Sequence, residues 1–343
     1  CRIGGREFVA DLSGACERTF ARHETFHPRY GWFRKAAIAA AQDPSIFLRE
    51  DATVELGVGK NMVKAIRFWG QAAKLICEVP NPERPRVPLV APTRAAVALF
   101  DETRGADPWL ELPGTLWVLH WLLLRPPCLL PVWWVTFNGF NGVEFVEEDL
   151  LSLVADEITT AGWEQPTPSS IHKDISCLTR TYSFSDEGRQ GFDDLLDSPL
   201  RDLGLLEPVW GERSRHRLVP GSKATLPDLV LLYAVLDWVA VSEETASTVA
   251  ITRILNEPGS PGRAFRLTES SLLDALKRAL SHVDVASITT AAGSLRLALA
   301  TDPGAASQKA LAVYYAHAGS KLRLPITEPD VPANFSQGML VMA

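Results

Sequence analysis

The chain has 343 residues, 46% hydrophobic and 22% charged, which is enough apolar material for two or three buried cores and argues against a disordered protein. Its formal net charge of -7 offers no global attraction for nucleic acid, so any such function has to rest on local patches. Five cysteines (Cys1, Cys16, Cys77, Cys128 and Cys177), odd in number and without a CxxC pair, speak against a disulfide framework or a cysteine-rich zinc module and point to a reducing cytoplasm.

The chain starts at Cys1 rather than Met, so a few leading residues are expected to have been trimmed, and residues 1–20 lack the basic start and apolar run of a secretory signal. At 23–27 stands "HETFH", an H-E-x-x-H match. Zinc chemistry needs both imidazoles one turn apart on a single helix face. Pro28 follows His27 directly, disfavours helix there and leaves the second ligand at a broken end. Glu50 is the available third ligand, in a stretch that reads as a helix end. A zinc hydrolase is therefore a remote alternative.

"GWFRKAAIAAAQD" (31–43) predicts a helix stopped by Pro44, and "PSIFLRED" a further turn. In 56–76, Met62, Ile66, Trp69 and Ala73 recur at helical spacing on one face. Lys60, Lys64, Arg67, Gln71 and Lys74 recur on another, with Asn61 beside Lys60. "LICEV" then predicts a strand, "PNPERPR" a loop with Arg84 and Arg86, and "VPLVAPTRAAVALF" a return strand and a helix. Turn, basic helix, strand, basic loop and strand is the order of a winged helix-turn-helix. Residues 57–94 hold seven Lys/Arg against two Glu, a local excess inside an acidic chain. The plainer reading is a solvated outer helix face; the wing that follows favours DNA.

Residues 109–161 read as three helices, the last in an acidic patch of Glu144, Glu147, Glu148, Asp149, Asp156 and Glu157. Such carboxylates can hold Mg²⁺, but more often they favour a helix start and face water. The apolar run 115–137 contains His120, Arg125 and three prolines, and 226–241 contains Asp228 and Asp237, so both are expected to be buried core helices rather than membrane spans.

The basic-helix pattern returns in 165–182. Ile171, Ile175, Leu178 and Tyr182 form one face and Lys173 and Arg180 the other, with Ser169 and Ser170 near the helix start. Residues 198–222 then supply a strand–turn–strand carrying Arg213, Arg215 and Arg217, a second wing or simply an exposed ribbon. The part from 225 to 330 is expected to be mostly helical around a Gly/Pro loop with Arg263 and Arg266, ahead of an extended tail. The predicted class is mainly α with small β wings: two winged-helix-like modules around a helical middle. The predicted divisions are 1–105, 106–163, 164–225 and 226–343.

Nucleotide and hydrolase motifs are missing. Around "GVGKN" a Walker A loop would need glycine at Val54 and Ser or Thr at Asn61, and no G-x-S-x-G elbow occurs.

Taken together, "HETFHPRYGW", "FLREDATVELGVGKNM", "LWVLHW" and "GSPGRAF" resemble the signature segments of the family described as domain of unknown function 4007, in the same order and over about residues 20–320. The resemblance implies a DNA-binding protein of a bacterial DNA phosphorothioate modification and anti-phage defence system, one that nicks duplex DNA so that sulfur can replace a phosphate oxygen. The implied partners are double-stranded DNA, a cysteine desulfurase, an ATPase and a protein resembling phosphoadenylylsulfate reductases. No membrane is implied, and a homodimer is compatible with the sequence. Nicking usually needs Mg²⁺. The family segment corresponds to His23, Glu24, His27 and Arg29. His or Glu there suits water activation or metal binding and Arg29 suits a phosphate, while a polar network bracing the first module is the structural alternative. No PD-(D/E)xK, HNH or GIY-YIG nuclease motif is present. A non-catalytic recognition or scaffold subunit is the alternative function.

Overall fold

The computed structural model describes residues 11–184, 198–209, 211, 214–242, 247–291, 293–326, 329 and 331–333. The fold is mainly α with small antiparallel sheets. It opens with α1 (Leu12–Ala15), α2 (Trp32–Gln42), a 3₁₀ turn (Ile46–Leu48), α3 (Ala52–Glu55) and α4 (Lys60–Ala72). The strands β1 (Ile76–Val79) and β2 (Leu89–Pro92) then form an antiparallel hairpin, and α5 (Arg94–Phe100) follows.

The alternation read from the sequence explains α4. Ile66, Trp69 and Ala73 are fully buried, while Lys60, Asn61 and Lys64 lie outside. Gly70 lets α4 cross α2 closely, since a Cβ at this position would stand 2.6 Å from the Ala36 Cβ.

The middle contains α6 (Pro113–Leu124), α7 (Pro131–Trp134), which runs into a π turn (Val135–Gly139), then β3 (Glu144–Val146), α8 (Glu147–Thr160) and α9 (Pro168–Tyr182). A 3₁₀ turn (Pro199–Leu203), β4 (Leu206–Pro208) and β5 (Arg215–Leu218) complete the second unit, whose sheet order is β3-β5-β4.

The C-terminal part contains α10 (Asp228–Val241), β6 (Thr248–Ala250), α11 (Ile251–Asn256), α12 (Pro261–Ala264), α13 (Glu269–Leu280), β7 (Ala286–Ala291), β8 (Ser294–Leu299) and α14 (Pro303–His317). The region is mostly helical, as expected, but it also holds a third sheet that the sequence reading did not include, with β6, β8 and β7 in that order. Its order repeats that of the second: the strand before the helices pairs with the last strand of the closing hairpin. Ile288, Thr289 and Thr290 supply the β-branched run, and Leu295, Leu297 and Leu299 alternate in β8.

Both apolar runs are core helices. Every residue of α6 from Gly114 to Leu124 is buried, as is α10 from Leu229 to Val239. Arg125 at the end of α6 donates through Nε to Asp237 Oδ2 on α10 at 2.8 Å, and Trp121 Nε1 donates to the same oxygen at 2.8 Å. Two of the charges that spoke against a membrane span thus pair between the two helices, while Asp228 pairs with Arg278. Among the described residues no helix is long and apolar enough to cross a membrane. One hydrophobic cluster extends from Leu12 to Ile326. The described part of the tail returns to the first unit: Val331 O accepts from Arg94 N at 2.8 Å, and Ala333 N donates to Pro92 O at 2.9 Å.

Candidate nucleic-acid interface

The outer face of α4 borders a cleft of about 200 Å³ lined by Arg22, Glu24, Phe47, Lys64, Arg67, Phe68, Gln71 and Glu78. Lys64 Nζ donates to Glu24 Oε1 at 3.1 Å. Arg67 Nη2 and Gln71 Nε2 both donate to Glu78 Oε1, at 3.1 and 3.2 Å. Because Glu78 lies on β1, the polar face of the helix is continuous with the hairpin. Exposed pairs of this kind contribute about 1 kcal/mol or less, so they orient the cations without preventing a phosphate from displacing the carboxylates.

Arg84 and Arg86 are exposed in the β1–β2 loop. Asn81 shapes that loop: its Oδ1 accepts from Glu83 N at 3.0 Å and Arg84 N at 3.2 Å, and its Nδ2 donates to Val87 O at 2.9 Å. Of the cleft residues, sequence reasoning passed over Arg22, Phe47, Phe68 and Glu78 as ligand-facing groups. Only the adjacency of Arg22 to the opening motif marked any of them.

Lys74 requires a correction. The helix ends at Ala72, and Lys74 has φ 56°, which turns its side chain inward. It is 4% exposed, and its ammonium donates to Leu122 O at 2.9 Å and Pro127 O at 3.1 Å, out of reach of DNA.

"HETFH" is a turn, with positive φ at Ala21 (53°), Glu24 (51°) and Thr25 (66°). Its imidazoles therefore do not share a helix face as a zincin requires. Among the described residues no group of three or more His, Cys, Asp or Glu is placed to hold a metal.

His23 is 1% exposed and lies 2.6 Å from Asp174 Oδ1 on α9, where Ala21 N also donates at 2.9 Å. Its ring packs against Phe68, Trp69 and Trp133. Burial raises the Asp174 carboxyl above its ordinary range, with the His23 hydrogen bond acting in opposition. Arg180 Nη2 on α9 donates to Thr25 O at 2.7 Å, and Trp69 Nε1 on α4 donates to Phe26 O at 2.9 Å. The motif is thus a clamp between α4 and α9.

The four residues expected to be catalytic are not gathered at one point. His23 faces inward, Glu24 lines the cleft, His27 is half-buried, and the Arg29 guanidinium sits 5.8 Å from the Trp32 ring centroid. Burial removes His23 from any direct contact with DNA.

On the second unit, Ser169, Ser170 and Lys173 lie at the solvent-facing start of α9, where both hydroxyls bond to Thr167 Oγ1. Arg180 braces the clamp. Arg215 is half-buried, Arg217 pairs with Glu144 at 2.6 Å, and Arg213 lies outside the described residues. Arg263 donates to Asn256 O at 2.9 Å and Asn141 Oδ1 at 2.8 Å. Arg266 donates to Phe140 O at 3.2 Å and Gly142 O at 3.0 Å; burial and the neighbouring Arg263 charge lower its pKa. This pair joins the Gly/Pro loop to the middle of the chain.

The acidic patch is engaged too. Glu144 pairs with Arg217, Glu147 lies 2.7 Å from His172 Nδ1, and Asp149 Oδ2 accepts from Val146 N at 3.0 Å as a helix cap. These three carboxylates are thus engaged, and no three of the described patch residues converge on one point as a Mg²⁺ cage requires.

The family model described as "Protein of unknown function (DUF4007)" matches residues 20–315. A magnesium-ion-bound SspB crystal structure is 38% identical, with a TM-score of 0.85, and the match covers 93% of this chain and 94% of that one. A second SspB crystal structure is 37% identical at the same TM-score and coverage. A comparison with curated proteins found no match. With its signature segments in order and its fold shared along nearly the whole length, the chain belongs to the DUF4007 family.

Proposed function

We propose that this chain is the DNA-binding component of a bacterial DNA phosphorothioation system of anti-phage defence, and that its first two helix–hairpin units act as winged helices. The likeness to SspB supports the system. The observation that carries the DNA reading is the continuous face formed by α4 and its hairpin, with Lys64 and Arg67 lining the cleft, Arg84 and Arg86 in the loop and Lys60 exposed at the start of α4. In this role α4 enters the major groove, where Asn61 and Gln71 are the amides suited to base edges, and the five cations meet phosphates. Ser169, Ser170 and Lys173 offer a second contact. The sulfur-transfer partners are a cysteine desulfurase, an ATPase and a phosphoadenylylsulfate-reductase-like protein.

If all five cations contact phosphates, the logarithm of affinity for duplex DNA falls against the logarithm of salt with a slope of roughly -4 to -5. Fluorescence anisotropy over a salt series measures this slope, and binding insensitive to salt would overturn the reading.

Nicking is the second reading, favoured by one observation: the Glu24 carboxylate lines the cleft beside Lys64 and Arg67. Under that reading, supercoiled plasmid incubated with the protein in Mg²⁺ buffer becomes open circular, and Glu24→Gln loses this activity while still shifting DNA in a gel. A gel shift without relaxation assigns the chain to recognition and scaffolding instead.

A further inference from the structure

Two cysteines far apart in sequence meet in the fold. Cys16 and Cys128 are partners in a parallel β-bridge, bracketed by Glu17 N donating to Cys128 O and Cys128 N donating to Ala15 O, both at 2.9 Å. Bridged backbones lie about 4.8 Å apart. That falls within the roughly 4.4–6.8 Å Cα span of a disulfide. Cys16 is 7% exposed and Cys128 fully buried.

The buried Lys74 ammonium is held on Leu122 O and Pro127 O, so it sits at the loop that presents Cys128. Cys128 Sγ accepts from Leu130 N at 3.4 Å and, as the thiol, donates to Leu123 O at 3.2 Å. Burial opposes ionisation of both thiols. At Cys128 the Cys16 hydrogen bond, the Lys74 charge and the Leu130 N–H outweigh it and lower the thiol, whereas Cys16 is pushed up by burial and by Cys128. Ionisation is thereby favoured at Cys128 and opposed at Cys16. Neither thiol nor Lys74 belongs to the α4 cleft.

We infer that Cys16, Cys128 and Lys74 form a redox site in which the two thiols close to a disulfide on exposure to hydrogen peroxide. The Cys128 thiolate attacks the peroxide oxygen; the O–O bond breaks, and one water leaves with a proton from the medium. The Cys16 sulfur then attacks the resulting sulfenic sulfur. The S–O bond breaks, the Cys16 proton leaves with the hydroxyl as a second water, and one peroxide has been reduced by two thiols. The crosslink ties the strand that leads into the "HETFH" turn to the loop before α7, whose Trp133 packs on His23.

The test treats the full chain with dilute hydrogen peroxide and digests it without reduction. The expected result is a crosslinked Cys16–Cys128 peptide, a protein mass lower by about 2 Da, and reversal by dithiothreitol. In Cys16→Ser, Cys128 is expected to be trapped by dimedone as the sulfenic acid, and Lys74→Met is expected to slow closure by about tenfold. The proposal is overturned if both thiols of the treated wild-type protein remain alkylatable after unfolding, or if Cys128 is trapped by dimedone without a crosslink. Closure of Lys74→Met at the wild-type rate would remove the ammonium from the site.

Discussion

Lys74 and Lys64 are the same residue type at positions the helical period assigns to one face, and they end in opposite environments. Lys64 stays on α4 and meets Glu24, whereas Lys74 lies beyond the helix end and is turned inward by a left-handed backbone. Periodicity cannot report a helix end that Ala73 does not advertise. His23 shows the same limit, because its partner Asp174 is far away in sequence. His120 tests burial as a cause. It is fully buried, lies 2.8 Å from Tyr182 Oη and 2.9 Å from Ala264 O, and burial lowers its pKa to about 4, with the Ala264 bond opposing. Since this imidazole is harder to protonate folded than unfolded, its contribution is present above the unfolded pKa near 6.5 and is lost as pH falls toward about 4. Wild-type stability should therefore drop by roughly 2 kcal/mol from pH 7 to pH 5 through this group. Urea midpoints of wild type and His120→Gln at the two pH values measure it. An equal drop in both would remove His120 as the cause.

At the scale of elements, α2, α4, the first hairpin, α8 and α9 follow from periodicity, capping and Gly/Pro punctuation. The third sheet was missed because β6 is short and β7 and β8 lie close together in sequence, in a region dominated by α10, α13 and α14. The apolar runs were correctly read as core, but the contact that joins them could not be. Arg125 and Asp237 are both nearly buried, with side chains 12% and 6% exposed, and share their carboxylate with Trp121. Removing one partner of such a pair leaves an uncompensated charge and costs about 3–5 kcal/mol. Asp237→Ala should lose that much in chemical denaturation, and Arg125→Met added to it should restore most of the loss. A double variant no more stable than the single one would show that packing around Trp121, rather than the charge, sets the cost.

At the scale of the molecule, the clamp explains why the opening motif matters without zinc. The turn at 21–27 is held by α9 through Asp174 and Arg180 and by α4 through Lys64 and Trp69, so it fixes how the two basic helices sit relative to each other. Sequence reading located both helices and the motif between them. It did not find their mutual attachment, because every bond in it joins residues about forty or more positions apart. The central claim, that α4 and its hairpin form the DNA-binding face, is tested most directly by duplex DNA anisotropy with Lys64→Glu plus Arg67→Glu. Lys64 is solvent-facing and Arg67 half-buried, and both are only weakly paired, so the variant should keep the wild-type unfolding free energy within about 2 kcal/mol while DNA binding falls below detection. A folded double variant that binds duplex DNA with wild-type affinity and salt dependence would contradict the account.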